Sequence, residues 1–137
     1  MAIEQVGVLG AGQMGAGIAQ VAAMSGYKVV LTDISEEQLE RALAGMDKSL
    51  SKLVAKERIS ADAKDAALAR IVTSTDMKAH ASADIVVEAV TEQESLKVQL
   101  LKQLDEVLAP EAILASNTSS ISITRLAAAT QRAERFI

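Results

Sequence analysis

Apolar and polar positions along this 137-residue chain follow two periods in alternation. Short apolar runs of strand type recur at Gln5–Leu9, Lys28–Thr32, Ile71–Thr73, Ile85–Glu88 and Ile113–Ala115. Between them lie longer stretches whose apolar residues return every three or four positions, the spacing of one helix face. The first runs from about Gln13 to Met24, with Ile18, Val21 and Ala22 on its apolar side and Gly26 just past its end. The second starts after Ser35, read as an N-cap, with Gln38 three residues on to complete a capping box, and reaches about Glu57. Ser60 caps a third, ending near Arg70. The fourth, from about Gln93 to Leu108, carries Leu96, Leu100, Leu104 and Leu108 on its apolar face and stops before Pro110. A short fifth helix spans Ser122 to Ala128, and Arg135-Phe136-Ile137 reads as the start of a sixth strand. Strands alternating with helices predict an α/β fold, a doubly wound and mainly parallel sheet covered on both faces. The connection from strand two to strand three takes about 38 residues, more than a crossover needs. A helical hairpin is therefore predicted to be inserted there.

The first strand runs directly into Gly10-Ala11-Gly12-Gln13-Met14-Gly15, and a helix follows at once. A G-x-G-x-x-G loop between strand and helix holds a dinucleotide pyrophosphate, and it makes the expected sheet one of the Rossmann type. Gly10 permits the tight turn, Gly12 lets the backbone approach the phosphates, and Gly15 lets the helix pack close to the strand. Gln13 and Met14 belong to the same loop and are taken with it as cofactor-binding positions. The free N–H groups and dipole of the helix N-terminus stabilise the anion. Asp33 closes the second strand 18 positions after Gly15, near the spacing of roughly 20 at which an acidic side chain meets the adenosine ribose. A 2′-phosphate at about 4–5 Å from that carboxylate would cost roughly 3–4 kcal/mol at an effective dielectric near 20. Ile34 and Ser35 follow, not arginine, so the expected cofactor is NAD and not NADP.

Composition narrows the function classes. The net charge is −4 and the aromatic residues are Tyr27 and Phe136. Neither a basic footprint nor base-stacking platforms are present, so no nucleic-acid partner is expected. There is no cysteine, which excludes disulfides, thiolate catalysis and cysteine–zinc sites, and no metal is expected. The N-terminus lacks the basic region of a secretory signal. The stretch Val6 to Leu31 is apolar, but its glycines, Gln13, Gln20 and Lys28 divide it into strand, helix and strand. No membrane partner is expected, and the protein is expected to be cytoplasmic. The chain stops within an apolar strand pattern, which predicts a piece of a longer protein.

Other residues carry two readings each. Lys48, Lys52 and Lys56, with Ser49 beside them, share one helix face; this stripe suits either an anionic substrate tail or plain solvation. Ser116-Asn117-Thr118-Ser119-Ser120 follows strand five, where strand ends face the ligand crevice. It suits either a nicotinamide ribose and substrate oxygen or a capped turn. Glu88 and Glu92 follow strand four in the same way. His80 is the single histidine. It lies between strands three and four, away from where a base would meet the nicotinamide, and is expected in a surface or loop role.

The Ser116–Ser120 run, Gly10–Gln20 and Val87-Glu88-Ala89-Val90-Thr91-Glu92 together closely resemble the 3-hydroxyacyl-CoA dehydrogenase family, especially its bacterial 3-hydroxybutyryl-CoA members. The resemblance covers Ile3 to Ile137. It implies oxidation of the 3-hydroxyl of an acyl-CoA thioester, with hydride passing to NAD. By resemblance, Gly10, Gly12 and Gly15 form the pyrophosphate loop and Asp33 binds the adenosine ribose. Glu92 and Lys97 lie near the nicotinamide half. Ser119 stands close to both nicotinamide and substrate hydroxyl, and is the catalytic candidate within the chain. Ser49 and Lys56 contact CoA. In the relatives, Arg-Phe is soon followed by a Gly-x-His-Phe-x-Asn-Pro segment whose histidine is the general base. A helical C-terminal domain beyond it forms a homodimer. The chain ends at Ile137, so residues 1–137 are expected to be an NAD-binding domain that is inactive alone. Alternatives are a non-catalytic NAD-binding or sensing module, and another Rossmann hydroxyacid dehydrogenase. The serine-rich run and the hairpin argue against the latter.

Overall fold

The computed structural model describes residues 2–118 and 120–137. In chain order the elements are β1 (Gln5–Leu9), α1 (Gln13–Met24), β2 (Lys28–Thr32), α2 (Glu36–Ala55), α3 (Ala61–Ala69), β3 (Ile71–Ser74), β4 (Ile85–Glu88), α4 (Glu94–Val107), β5 (Ile113–Ser116) and α5 (Ile123–Ala128). Short 3-10 turns cover Met77–His80 and Ala133–Arg135. The five strands form one sheet in the order β3-β2-β1-β4-β5, and every pairing is parallel. The chain moves outward from β1 to β2 and β3, then returns to place β4 on the other side of β1. That reversal opens a crevice beyond the carboxyl ends of β1 and β4.

Side chains alternate across the sheet as the strand period demands. Val6, Val8, Val29 and Leu31 pack against α1, α2 and α3, whereas Leu9, Val86 and Leu114 pack against α4 and α5. Leu31, Leu50, Leu101, Leu104 and Leu114 are fully buried, each contributing about 1.5–3 kcal/mol by leaving water. α2 and α3 form the inserted hairpin. The turn between them is a Schellman motif: Glu57 has φ 57°, its N–H reaches the Val54 carbonyl, and the Arg58 N–H reaches that of Leu53.

Several sequence expectations are corrected. Val21 faces solvent, 65% exposed, and the buried residues of α1 are Gly15, Ala19 and Ala23. Small residues let the helix axis approach the sheet, and this turns the larger Val21 outward. In α4 the core positions include Lys97, Leu101 and Leu104, while Leu96 and Leu100 are only half-buried. The capping box at α2 is half realised. Ser35 Oγ accepts from the Gln38 N–H at 3.2 Å, but the Ser35 N–H donates to Asp33 Oδ1 at 2.9 Å. Of the expected sixth strand, Arg135 closes a 3-10 turn. Phe136 forms one parallel bridge to Leu114, and the Ile137 N–H and carbonyl bond to Leu114 and Ser116.

Candidate functional site

The crevice is built from the loops after β1, β2, β4 and β5. Gly10 has φ 108°, a left-handed conformation that glycine adopts without strain. Its N–H donates to the Thr32 carbonyl at 2.8 Å, which ties the glycine loop to the end of β2. A Cβ on Gly15 would lie 1.7 Å from the Gly10 carbonyl oxygen, so only glycine lets α1 begin this close to β1. The N-cap of α1 is Gly12, with no side-chain cap and no acidic residue in the first turn. By contrast α2, α3 and α5 are each capped by a serine hydroxyl, and α4 carries Glu94 in its first turn. Among the described α-helices, only α1 leaves its first N–H groups without either cap or carboxylate. An anion completes such an end, and the residues present therefore fit a pyrophosphate.

Asp33 stands at the tip of β2. Its Oδ2 accepts from the Ala11 N–H at 2.9 Å and its Oδ1 from the Ser35 N–H. Each oxygen keeps acceptor capacity, so the carboxylate is aimed by the backbone and still able to meet two ribose hydroxyls. Beside it opens a cavity of about 490 Å³, walled by Ile34, Met77, Ala89, Val90, Leu96 and Leu100. Its apolar walls fit a flat aromatic base. Leu96 and Leu100 are thereby explained as pocket wall, Leu100 also packing against the core beneath it. Gln13 and Met14 are exposed at the start of α1.

On the other side of β1 a smaller cavity of about 280 Å³ is lined by Met14, Val90, Glu92, Asn117 and Thr118. Val90 belongs to both cavities. The two flank the glycine loop, one on the Asp33 side and one on the β4–β5 side, which is the layout an extended dinucleotide requires. Thr118 Oγ1 donates to Glu92 Oε1 at 2.8 Å. Ser119 lies outside the described residues. Lys97 does not line this cavity. It is fully buried, donating to Glu88 Oε2 at 2.6 Å and to the Val90 carbonyl at 3.1 Å.

Ser49 sits half-buried in a third groove, between α1 and α2, where its Oγ accepts from Gln20 Nε2 at 3.0 Å. Lys56 is exposed as the C-cap of α2, seven residues and about 10 Å further along. Lys48 and Lys52 are also exposed. His80 lies in the turn between β3 and β4, the loop half of its expectation, but the surface half is overturned: it is wholly buried, with Nε2 hydrogen-bonded to Thr32 Oγ1 at 2.7 Å. Burial pushes its pKa down to about 4, so the imidazole is neutral and has no route to the crevice. Sequence reasoning placed Glu88 beside Glu92 at the crevice, yet Glu88 is buried. It also passed over Arg132, whose guanidinium bonds Asp105 and the carbonyls closing α4. No local signal marks either. No described helix is long and apolar enough to cross a membrane.

Comparison with known proteins gives the same answer as the geometry. The family model described as the NAD binding domain of 3-hydroxyacyl-CoA dehydrogenase matches residues 5–137. A 3-hydroxybutyryl-CoA dehydrogenase from Bradyrhizobium diazoefficiens is 50% identical over 135 residues, which are 98% of this chain and 46% of the relative. A 3-hydroxyadipyl-CoA dehydrogenase from Escherichia coli is 44% identical over 133 residues, 97% of this chain and 28% of its own. The crystal structure of (S)-3-hydroxybutyryl-CoA dehydrogenase from Ralstonia eutropha superposes with a TM-score of 0.97 at 49% identity, covering 99% of this chain and 48% of that one. The chain thus spans about half the length of the bacterial 3-hydroxybutyryl-CoA relatives it matches. With its uncapped α1 N-terminus, its aimed Asp33 and a Rossmann sheet, the chain belongs to the NAD-binding domain family of the 3-hydroxyacyl-CoA dehydrogenases.

Proposed function

We propose that residues 1–137 are the NAD-binding domain of an enzyme that oxidises (3S)-3-hydroxyacyl-CoA to 3-oxoacyl-CoA, with 3-hydroxybutyryl-CoA as substrate. The observation that carries this reading is the α1 N-terminus, bare of cap and carboxylate, with the Asp33 carboxylate held beside it. Bound NAD supplies the hydride acceptor. Gly10, Gly12, Gln13, Met14 and Gly15 embrace the pyrophosphate, and Asp33 takes the adenosine ribose hydroxyls. Glu92 and Ser119 serve the nicotinamide side, with Ser119 also holding the substrate oxygen; Lys97 acts on that side from below. Ser49 and Lys56 meet the CoA moiety, their spacing along α2 matching an extended tail.

His80 is excluded as the base, being buried away from the crevice and, with its pKa pushed down to about 4 by burial, too weak a base to hold the substrate proton. The general base is assigned to a histidine in the half of the relatives' length that this chain does not span. The chain alone is thus proposed to bind NAD without turnover. The complete protein is proposed to be a cytoplasmic homodimer joined through its helical C-terminal domain, with neither nucleic acid nor membrane as partner.

Calorimetric titration with NADH, paired with an assay of 3-hydroxybutyryl-CoA oxidation, tests both statements. Saturable NADH binding with no turnover is expected. Absence of binding would overturn the cofactor reading, and turnover by the chain alone would overturn the assignment of the base. In a protein carrying the remaining half, Lys56→Ala should raise KM for the CoA substrate with little change in kcat.

A further inference from the structure

We propose that Glu88 is a positioning residue for the nicotinamide half of the cofactor site, acting through Lys97 on Glu92. The proposal rests on the cofactor reading above and adds a residue that does not itself reach the cleft.

Glu88 and Lys97 have fully buried side chains. Glu88 Oε2 accepts from Lys97 Nζ at 2.6 Å and from the Val90 N–H at 2.7 Å, while Oε1 accepts from Ser116 Oγ at 2.5 Å. One carboxylate thereby ties together the end of β4, the loop after it, the end of β5 and the first turn of α4. The ammonium has three N–H donors and three acceptors around it: Glu88 Oε2, the Val90 carbonyl and Glu92 Oε1, the last at 3.4 Å. Of these, Glu92 is the group that reaches the smaller cavity, its side chain 37% exposed. Glu92 Oε1 also accepts from Thr118 Oγ1 at 2.8 Å. Three hydrogen bonds and the Lys97–Glu92 ion pair form a circuit from Ser116 through Glu88, Lys97 and Glu92 to Thr118, two residues along from its start. It spans the two loops that wall the nicotinamide side.

Stability alone is a weak reason for such a pair. Two apolar side chains of similar volume pack as well or better in a buried position, because each ion loses its hydration. What apolar residues lack is direction. An ammonium hydrogen-bonded on two sides by Glu88 and Val90 holds its charge at one fixed point, and Glu92 Oε1 pairs with that charge across 3.4 Å. The geometry also accounts for Lys97, which resemblance places near the nicotinamide although its side chain is enclosed: its effect there runs through Glu92.

The test compares two ligands on the 137-residue chain: NADH, and ADP-ribose, which has the adenosine and both phosphates but no nicotinamide. Glu88→Gln should weaken NADH about tenfold, the loss of one charge-assisted contact's worth of orientation, while ADP-ribose affinity stays within about twofold. The double variant Glu88→Leu/Lys97→Met removes both charges at similar volume and serves if Glu88→Gln unfolds. It should stay folded, with a melting temperature lowered only by the Val90 and Ser116 groups left without their partners, and show the same selective loss of NADH affinity. Equal loss of both ligands in Glu88→Gln, or normal NADH binding by the double variant, would reduce the pair to a structural strut and overturn the proposal. A wild-type chain that bound neither ligand would overturn the cofactor reading, and this proposal with it.

Discussion

His80 lies directly against the bare backbone of Gly7: a Cβ on that glycine would sit 2.4 Å from His80 Nδ1. The opposite ring nitrogen is hydrogen-bonded to Thr32 Oγ1 at 2.7 Å, and Thr32 is the residue whose carbonyl holds Gly10. A buried imidazole thus fills the space beneath β1 and steadies the strand that carries Asp33. Nδ1 has no hydrogen-bond partner among the described residues.

That arrangement makes stability depend on pH in a defined window. Burial lowers the His80 pKa from 6.5 to about 4 in the folded chain. The unfolded chain therefore takes up the proton first as pH falls. The contribution of His80 is fully present above pH 6.5 and is lost progressively down to about 4, amounting to about 3 kcal/mol. Urea unfolding of the wild type and His80→Gln on either side of this window measures the difference. The variant should show a shallower loss, and parallel pH profiles would remove His80 as the cause.

Asp33 should set the choice between the two nicotinamide dinucleotides. Asp33→Asn keeps the shape and one backbone acceptor but removes the charge that a 2′-phosphate would face. NADPH affinity relative to NADH should rise by roughly ten- to a hundredfold, solvent screening reducing the full charge-pair effect. An unchanged ratio in paired titrations would mean that this carboxylate does not read the ribose.

Two glycines of α1, two positions apart, should respond in opposite directions to alanine. Gly15→Ala drives a Cβ to 1.7 Å from the Gly10 carbonyl oxygen, and should cost roughly 2–4 kcal/mol and abolish NADH binding. Gly17 lies mid-helix with nothing within 4 Å of an added Cβ, so Gly17→Ala should stabilise by about 0.5–1 kcal/mol. Thermal unfolding of both variants decides, and a destabilised Gly17→Ala would contradict the open space seen there.

Arg132 should be among the most sensitive positions outside the crevice. Its Nε donates to Asp105 Oδ1, Nη1 to the carbonyls of Ala109 and Ala112, and Nη2 to those of Asp105 and Leu108. A planar fork closes the C-terminal end of α4 in this way. Lysine cannot reproduce five diverging bonds, so Arg132→Lys should cost about 2–3 kcal/mol in a urea melt. A cost under about 0.5 kcal/mol, the scale of an ordinary surface change, would show that the guanidinium merely fills space.

Much of the scaffold was legible in the residues. The strands, the inserted hairpin and the serine caps of α2 and α3 fall within a residue or two of where periodicity and capping chemistry put them. The glycine loop and Asp33 were legible for the same reason: turn conformation, helix start and strand end are settled by neighbours a few positions away. Val21, Leu96 and Leu100 were misread as core because a helix has several faces with apolar content, and only the partner surface selects among them.

The sequence by itself determined the elements, their α/β order, the glycine turn that opens α1 and an acidic residue at the end of β2, since each depends on short-range sterics and hydrogen bonding. Only the tertiary structure decided which polar groups leave water. Thr32 is 48 residues from its partner His80, Ser116 is 28 from Glu88, and Arg132 is 27 from Asp105. Burial of a charged or polar side chain is tolerable only where such distant partners converge, and chain folding brings them together.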